Sequence, residues 1–292
     1  MPRASASRRR GEASGGPVIG ITADNAENTA ASGRYEVGVG YAAAVAAAGG
    51  VPLVLPHETG AIDRYVAMCD GLLLTGGVDP DTAALPAGWP GREATHGEAR
   101  VMDPGRQAFE LALLDAWESV KPQGALLGVC LGMQWMALRA GGRLEQFMPA
   151  TRTAEVVERH RQADHAVRVT AGDSVLRPPP EGGDAVVHSN HQQAVADPGR
   201  LRVVAVCPDD GVVEAVDDAA RPFCLGVQWH PERMTAARPL GWPVITGFVE
   251  AARRAKADRD RAVTKRGKRL PGAGGRRVRA GRVYWPRVRF SR

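Results

Sequence analysis

Residues 124–139 read GALLGVCLGMQWMALR, a stretch in which the pattern of apolar residues changes part-way along. Its first six residues form a short apolar run, which predicts a buried parallel strand. Residues 131–139 are rich in Met, Leu, Ala and Gln and predict a helix that ends before Gly141 and Gly142. Cys130 therefore lies at the junction between a strand and a helix.

Cys130 has a glycine two residues before it and another two residues after it. This spacing is typical of a nucleophile elbow, a tight strand-to-helix turn that exposes the reactive atom. Gly128 and Gly132 keep Cβ atoms out of the turn. The helix N-terminus favours a thiolate over a thiol, and the backbone N–H of Leu131 is expected to point to where an oxyanion forms. A buried cysteine at a strand end is also commonly a small core residue, so the prediction depends on a partner.

The partner is found a hundred residues later, where residues 224–232 read CLGVQWHPE. The apolar part predicts another interior strand, and Pro231 ends it because proline has no N–H to donate. His230 and Glu232 are two residues apart and so lie on one side of an extended segment. A thiol, an imidazole and a carboxylate are the three groups that a cysteine hydrolase needs. We predict that Cys130, His230 and Glu232 are catalytic.

Short apolar runs alternate with helical segments along the chain, which predicts βα units and an α/β fold with a mainly parallel sheet flanked by helices. In such sheets the site lies beyond the carboxyl ends of the strands. The segment 75–77, Cys130 and His230 each follow an apolar run, so we expect them to share one crevice. Residues 81–105, rich in Pro, Gly and Ala, are expected to form a loop over it.

Together these motifs resemble the class I glutamine amidotransferase-like superfamily, which has a flavodoxin-like fold. More narrowly, the chain is similar to the stand-alone γ-glutamyl hydrolases, including γ-glutamyl-γ-aminobutyrate hydrolase. The resemblance runs from about Pro17 to about Ala252. The segments that carry it are Pro17–Thr22, Tyr41–Pro56, Asp70–Pro80, Asp103–Leu114, Val187–Ala194 and Gln228–Glu232.

The resemblance implies hydrolysis of a γ-glutamyl amide through a thioester on Cys130, with a small-molecule γ-glutamyl compound as the substrate. It implies an oxyanion hole formed by the N–H groups of Gly77 and Leu131. It also places four residues near the glutamyl α-amino and α-carboxylate groups, namely Gln134, Ser189, Asn190 and His191. No metal ion and no organic cofactor is implied.

Two departures keep an alternative open. The hydrolase branch commonly has Arg where this chain has Leu131, and it often has a second His where this chain has Gln192. The sequence Cys-Leu-Gly-Met-Gln is closer to glutaminase subunits, which supply ammonia to a synthetase partner. Against this, residues 76–80 (GGVDP) and 191–193 (HQQ) favour the hydrolase branch. We therefore place the hydrolase first and the partner-dependent glutaminase second.

The histidines and the other cysteines give no metal signal in the sequence. Cys69, Cys207 and Cys224 form no C-x-x-C pair and are expected to be core residues in a reducing compartment. A metal pair at residues 188 and 191 lacks further ligands at a convincing spacing. The two other histidines of this region, at residues 160 and 165, are interpreted as polar loop residues.

The charge of the chain is unevenly distributed. Residues 251–292 hold 16 Lys and Arg against two acidic residues, a net charge of +14, whereas the whole chain of 292 residues carries +6 and residues 1–250 therefore carry −8. We predict a flexible arm at residues 1–16, a hydrolase domain at 17–252 and a basic, disordered tail at 253–292.

The basic tail is compatible with non-specific binding to a polyanion. The sequence is also compatible with a homo-oligomer. The chain lacks an apolar stretch long enough to span a bilayer. Its N-terminal arginines are not followed by the apolar run of a secretory signal. We therefore expect a cytoplasmic protein that does not insert into a membrane.

Overall fold

The computed structural model describes residues 15–25 and 33–267. The strands in this part of the chain are β1 (Val18–Thr22), β2 (Asp24–Asn25), β3 (Tyr35–Glu36), β4 (Val51–Leu55), β5 (Gly71–Leu74), β6 (Ala125–Val129), β7 (Arg143–Glu145), β8 (Ala163–Val169), β9 (Ala185–Ser189), β10 (Ala194–Asp197), β11 (Arg202–Val206), β12 (Val213–Asp217) and β13 (Cys224–Val227). The α-helices are α1 (Val39–Ala47), α2 (Ile62–Met68), α3 (Pro104–Val120), α4 (Leu131–Arg139), α5 (Met148–Thr151), α6 (Ala154–His160) and α7 (Trp242–Gly267).

Five strands lie parallel to one another in the order β4-β1-β5-β6-β13, and we call them the parallel half. Strands β5 and β6 read GLLL and ALLGV, and all of their residues are buried. Strands that are covered on both faces need such continuous apolar runs. Leu73 packs with α1 and with residues 244–252 of α7, whereas Leu72 and Leu74 pack with α2, α3 and α4. The predicted α/β fold is confirmed.

The sheet continues beyond β13 as an antiparallel extension. Strands β12, β11, β8 and β9 follow in that order, each antiparallel to its neighbour, while β10 pairs with β12 and β7. We call these strands, with the loops that join them, the antiparallel half. Strand β13 belongs to both halves, since it pairs with β6 on one side and with β12 on the other.

The register of the parallel half places three chain segments at one edge. Leu74 of β5 lies opposite Gly128 of β6, and Gly128 lies opposite Gly226 of β13. Because the strands end nearly level with one another, the residues that follow them emerge side by side. Gly77, Cys130 and His230 therefore lie at the same edge of the sheet, as the sequence predicts.

The end of the folded domain differs from the predicted boundary. Residue contacts divide the chain into two units, 1–257 and 258–292, and α7 extends to Gly267, so the prediction of disorder is wrong for residues 253–267. Alanines and ion pairs from Glu250 to Arg253 and Arg254 favour the helix there. Residues 1–14 of the predicted arm and 268–292 of the predicted tail lie outside the described residues.

The three cysteines other than Cys130 occupy the places that the sequence predicts for them. Cys69, Cys207 and Cys224 are all buried and carry free thiols. Among the described helices, none combines the length and the apolar character that a membrane crossing requires.

Candidate active site

Cys130 lies in a strained turn between β6 and α4. Its backbone has φ +52° and ψ −105°, a conformation that residues other than glycine rarely adopt. The turn is held because the Cys130 N–H donates to the carbonyl oxygen of Val227 in the neighbouring strand, at 2.8 Å. Strain that is maintained by its surroundings is a feature of functional sites. The geometry is that of the predicted nucleophile elbow.

The two glycines of the elbow are required by close backbone contacts. A Cβ atom on Gly128 would lie 2.6 Å from the carbonyl oxygen of Gly132. A Cβ atom on Gly132 would overlap the carbonyl oxygen of Leu74 in β5. Contacts this short do not occur between real Cβ atoms and backbone oxygens, so the first turn of α4 packs against β5 and β6 only because both positions are glycine.

His230 and Glu232 form a close pair at the end of β13. Pro231 begins a 3₁₀ turn at Pro231–Arg233, and the turn brings the Glu232 Oε1 to 2.8 Å from the His230 Nδ1. Burial alone would lower the pKa of His230, but its interactions with Cys130 and Glu232 outweigh burial and raise that pKa to about 9. The imidazole is therefore held in its protonated form beside the thiol.

The imidazole and the Cys130 side chain face each other across Gly76. A Cβ atom placed on Gly76 would lie 3.0 Å from the His230 Cε1 and 3.4 Å from the Cys130 Cβ. The Cys130 sulfur also accepts a long hydrogen bond of 3.5 Å from the Gln228 amide. The structure thus brings together the three side chains that the sequence predicts to be catalytic.

The loop at residues 75–77 lies against this group. The Gly76 N–H donates to the Tyr41 hydroxyl at 3.0 Å. The backbone N–H groups of Gly77 and Leu131 have no acceptor among the residues that the structure describes. Two backbone donors without acceptors beside a nucleophile are what an oxyanion hole requires.

Arg106 holds this loop in place from within the core, a role that the sequence does not reveal. Its guanidinium is fully buried and donates to the carbonyl oxygen of Gly76 at 3.1 Å. It pairs with Asp24 at 2.7 Å and with Glu110 at 3.0 Å. Glu110 in turn accepts from the Trp135 indole of α4 at 2.7 Å, so one buried network connects the loop to the helix that follows Cys130. An arginine in a helix gives no sign of being buried until the fold places it.

Two cavities open on either side of Cys130, and both are bounded by Gly77 and Asn190. The small cavity, of about 260 Å³, is lined by polar side chains. Its charged residues are Asp79, Arg100 and Arg161, and its buried amides are Gln134 and Gln193. Arg100 comes from the irregular segment at residues 81–103, part of the loop expected over the site.

The large cavity, of about 450 Å³, lies on the side of the imidazole. Its walls include Tyr41, His230 and Arg233, with Asp24 and Glu36 also on its boundary. His230 lines this cavity and does not line the small one. A group bound in the large cavity can therefore receive a proton from the imidazole directly.

The four residues predicted to contact substrate are placed differently from one another. Gln134 and Asn190 line the small cavity. The Ser189 side chain is fully buried and its hydroxyl lies 2.9 Å from the His165 Nε2. His191 also borders the small cavity, but its imidazole has an exposed fraction of 1% and its Nε2 lies 3.7 Å from Glu214. Gln134 and Asn190 are thus better placed than Ser189 and His191 to touch a substrate.

A buried cluster of histidines lies behind Ser189 and His191. His160 ends α6 and His165 lies in β8, and both side chains are buried, so their interpretation as polar loop residues is wrong. Burial alone would raise the pKa of the nearby Glu214, but the surrounding imidazoles outweigh it and lower that pKa to about 2. Glu214 is therefore an ionised carboxylate inside the protein.

The fold and the arrangement at Cys130 define the class of protein as class I glutamine amidotransferase-like. The sequence profile of the Peptidase C26 family matches residues 17–232, and the chain belongs to this family.

Relatives in several organisms support this assignment. The γ-glutamyl-γ-aminobutyrate hydrolase PuuD of Escherichia coli K12 is 31% identical over 234 residues, which cover 76% of this chain and 88% of PuuD. A Mycobacterium tuberculosis protein provisionally named a glutamine amidotransferase is 30% identical over 232 residues, which cover 74% of this chain and 70% of that protein.

Among solved structures, a Thermoplasma acidophilum protein provisionally described as a component of GMP synthase has a TM-score of 0.56 at 15% identity. The superposition covers 86% of this chain and 98% of that one. At so low an identity, this likeness establishes the fold alone.

Proposed function

We propose that the protein hydrolyses γ-glutamyl amides to glutamate and a free amine, with γ-glutamyl-γ-aminobutyrate as the first candidate substrate. The observation that carries the proposal is the pairing of His230 with Glu232 beside Cys130, at the meeting point of two cavities. The 31% identity to PuuD over most of both chains supports the substrate class. The partner in this reaction is a small molecule.

In the first half of the reaction, the Cys130 thiolate attacks the γ-carbonyl carbon of the amide. The oxyanion that forms accepts hydrogen bonds from the N–H groups of Gly77 and Leu131. His230 Nε2 then gives its proton to the amine nitrogen as the C–N bond breaks, which leaves a γ-glutamyl thioester on the sulfur. Glu232 holds the imidazole through Nδ1 and stabilises its charged form.

In the second half, a water molecule takes the place of the departed amine. His230 Nε2, now neutral, accepts a proton from the water as its oxygen attacks the thioester carbon. The C–S bond breaks and expels the thiolate, so that Cys130 again lies beside a protonated imidazole. Glutamate leaves as the γ-carboxylic acid, which gives its remaining proton to the solvent. No external electron acceptor or donor is needed for this sequence.

The position of His230 supports different roles for the two cavities. In the proposed reaction His230 protonates the leaving amine, so we expect the amine to lie in the large cavity, which the imidazole lines. The γ-glutamyl part then occupies the small cavity. There Asp79 can pair with the α-ammonium group, and Arg100 and Arg161 can pair with the α-carboxylate.

Arg233 favours a leaving amine that carries a negative charge. Its side chain is 49% exposed and lies 3.4 Å from Glu232, on the wall of the large cavity. The carboxylate of γ-aminobutyrate lies a few bonds beyond the scissile nitrogen, so it can reach a cation on this wall. This supports γ-glutamyl-γ-aminobutyrate over amides with a neutral amine.

The second candidate is a glutaminase subunit that supplies ammonia to a synthetase partner. It is favoured by Leu131 directly after Cys130 and by the relative from M. tuberculosis. Free glutamine releases only ammonia, however, and a cavity of about 450 Å³ on the leaving-group side exceeds what ammonia needs.

The experiment that separates the two is glutamate release by the purified protein alone. We expect kcat/KM for γ-glutamyl-γ-aminobutyrate to exceed that for glutamine by at least about tenfold, which corresponds to about 1.4 kcal/mol. The α-linked isomer is the control substrate and should not be cleaved. Preference for glutamine, or no turnover of either compound, would instead favour the partner-dependent glutaminase.

A further inference from the structure

Four side chains that are far apart in sequence meet in the antiparallel half. They are His160 at the end of α6, His165 in β8, His191 after β9 and Glu214 in β12. Their side chains have exposed fractions of 0%, 1%, 1% and 0%. One nitrogen or oxygen atom from each lies within 4.8 Å of the corresponding atoms of the other three. We call this group the histidine–glutamate cluster.

Most of the atoms at the centre of the cluster have no hydrogen-bond partner among the described residues; the exception is the His165 Nε2, which lies 2.9 Å from the Ser189 hydroxyl. Within the described part of the chain, neither oxygen of Glu214 makes a hydrogen bond, and neither do the His160 Nδ1 and the His191 Nε2. A buried carboxylate without hydrogen bonds is unfavourable unless a cation compensates its charge. Glu214 is fully buried and, in the part of the chain that the structure describes, makes no hydrogen bond and has only imidazoles as its charge partners, so this centre is suited to a bound cation.

The outer nitrogen of each imidazole is held by an acceptor outside the centre. Each of these ring nitrogens can donate its hydrogen to a carbonyl or carboxylate oxygen, which leaves the lone pair of the other nitrogen directed inwards. Outer anchors of this kind are what metal-binding histidines usually have. The three anchors are the Asp210 Oδ2 for His160 at 3.1 Å, the Ala166 carbonyl oxygen for His165 at 2.9 Å and the Gln193 carbonyl oxygen for His191 at 2.8 Å.

The spacing of the inner atoms fits four ligands around one small ion. The Glu214 Oε1 lies 3.2 Å from the His160 Nδ1, 3.6 Å from the His165 Nε2 and 3.7 Å from the His191 Nε2. Bonds to zinc of about 2.0–2.1 Å in a tetrahedron place neighbouring ligand atoms about 3.3–3.4 Å apart. The three distances from the Glu214 Oε1 are within about 0.4 Å of this spacing, and all four ligand atoms lie within 4.8 Å of one another.

We propose that the histidine–glutamate cluster binds one divalent transition-metal ion, with Zn²⁺ as the preferred ion. The ligands are the His160 Nδ1, the His165 Nε2, the His191 Nε2 and the Glu214 carboxylate. Three imidazoles and one carboxylate suit zinc, and four protein ligands in a closed site are typical of a structural rather than a catalytic metal. On binding, the Ser189 hydroxyl gives up its contact with the His165 Nε2.

The metal would fix the chain segment that forms one wall of the small cavity. His191 follows Asn190, whose carbonyl oxygen lies 4.0 Å from the Cys130 sulfur. The Gln193 carbonyl oxygen, which anchors His191, also accepts a hydrogen bond of 3.5 Å from the Gln134 amide. The ion is therefore a positioning element for the wall of the cleft and does not touch the reacting atoms.

An adjacent group of possible ligands is less suitable. His160, Cys207 and Asp210 also have ligand atoms near one another. Asp210 is already engaged, because it accepts from Arg159 at 2.7 Å and from the Val212 N–H at 3.1 Å. This group offers only three ligands, and one of them is a thiol, so a metal there would have a thiolate bond that the proposed site lacks.

The test is the metal content of untagged protein that has been purified without a metal-affinity column, measured by mass spectrometry after dialysis against ZnCl₂ and then buffer. We expect about one zinc per chain in the wild type. The variant Glu214→Gln should retain less than about a tenth of it. The matched control is His188→Asn, because His188 lies in β9 but its ring pairs with Asp164 at the surface, and it should bind zinc as the wild type does.

Replacement of zinc by Co²⁺ tests the ligand set without any variant. Wild-type protein stripped by a chelator should give the visible absorption of four-coordinate Co²⁺ with no thiolate charge-transfer band. A thiolate band would show that the ion is bound by a cysteine and would overturn the proposed site. A folded wild type that takes up neither ion would also overturn it, since the cluster would then hold protons only. Because both readouts are independent of turnover, they stand whether or not the proposed hydrolysis is correct.

Discussion

The two halves of the sheet assemble their polar side chains in different ways. In the parallel half, Cys130 and His230 follow the carboxyl ends of adjacent strands, and Glu232 is two residues further on. In the antiparallel half, the histidine–glutamate cluster draws its members from a helix end, two strands and a loop between residues 160 and 214. The first group of side chains lies at the edge of the sheet, beside two cavities, and the second group is buried inside the protein. In the proposed reaction, the parallel half supplies the reacting side chains, and residues of the antiparallel half form part of the wall of the small cavity.

Substitution of His230 should produce the largest loss of activity. It should leave the metal content unchanged, which would show that the proposed reaction and the proposed metal site depend on different residues. His230→Asn removes the group that protonates the amine and activates water, so kcat should fall by about 10³–10⁴-fold. The protein should still unfold cooperatively and keep its metal, because His230 is not a member of the cluster. The measurements are steady-state glutamate release and zinc content. A loss of less than tenfold in kcat would show that His230 is not the general acid and base of the reaction.

Substitution of Arg106 should lower both the stability of the protein and its activity, because Arg106 lies in a buried network beneath the loop at residues 75–77. Arg106→Met leaves the Glu110 carboxylate buried without its cation, which should lower the free energy of unfolding by about 3–5 kcal/mol. The support under Gly76 is lost as well, so kcat should fall in the protein that remains folded. The measurement is urea denaturation followed by circular dichroism.

The matched control for Arg106 is Arg139→Met. Arg139 pairs with Asp115 at the surface, where their side chains have exposed fractions of 30% and 53%. Exposed pairs of this kind contribute at most about 1 kcal/mol. Equal losses of stability in the two variants would contradict the role given to the buried network.

The stability of the parallel half should depend on pH through the imidazole of His230. The pKa of His230 is raised from about 6.5 in the unfolded chain to about 9 in the fold. The bound proton therefore stabilises the fold fully below about pH 6.5, and this contribution is lost as the pH rises through 9. Its size is of the order of 3 kcal/mol, since each tenfold change in the acid dissociation constant is worth about 1.4 kcal/mol.

Urea denaturation of wild type and His230→Asn at pH 6 and pH 10 measures this contribution. We expect the stability difference between the two proteins to shrink by that amount at the higher pH. A difference that stays constant would mean that His230 is not held in its charged form.

A smaller effect should follow from Arg233→Gln on the wall of the large cavity. Loss of this exposed cation should raise the KM for γ-glutamyl-γ-aminobutyrate by roughly fivefold to tenfold, since about 1 kcal/mol of charge pairing is removed. The comparison substrate is γ-glutamylmethylamide, whose leaving amine has no carboxylate, and its KM should not change. An equal increase for both substrates would contradict the assignment of the large cavity to the leaving amine.

The sequence predicts much of the parallel half because its features depend on short segments. Gly128 and Gly132 specify the turn around Cys130, and residues 131–139 form the predicted helix α4. Pro231 specifies the end of β13 and the turn that joins His230 to Glu232. Each feature is encoded within a few residues, so it can be predicted before any tertiary contact is known.

What the sequence does not predict depends on contacts between distant segments. Arg106 joins Asp24, Gly76 and Glu110 inside the core, and no local pattern marks a helical arginine as buried. The histidine–glutamate cluster is the same case, because its spacing matches no metal motif. The resemblance implies that Ser189 lies beside the substrate, but its side chain is buried against His165, since the side chains of β9 alternate between the two faces of the strand.

The most direct test of the account is glutamate release from γ-glutamyl-γ-aminobutyrate by Cys130→Ala, with Cys224→Ala as the matched control. Both cysteines are buried beside the same strand pair, but only Cys130 is at the elbow. The account predicts no enzymatic turnover from Cys130→Ala and near wild-type turnover from Cys224→Ala, with both proteins folded. Continued turnover by a folded Cys130→Ala protein would show that the reaction does not proceed through this thiol.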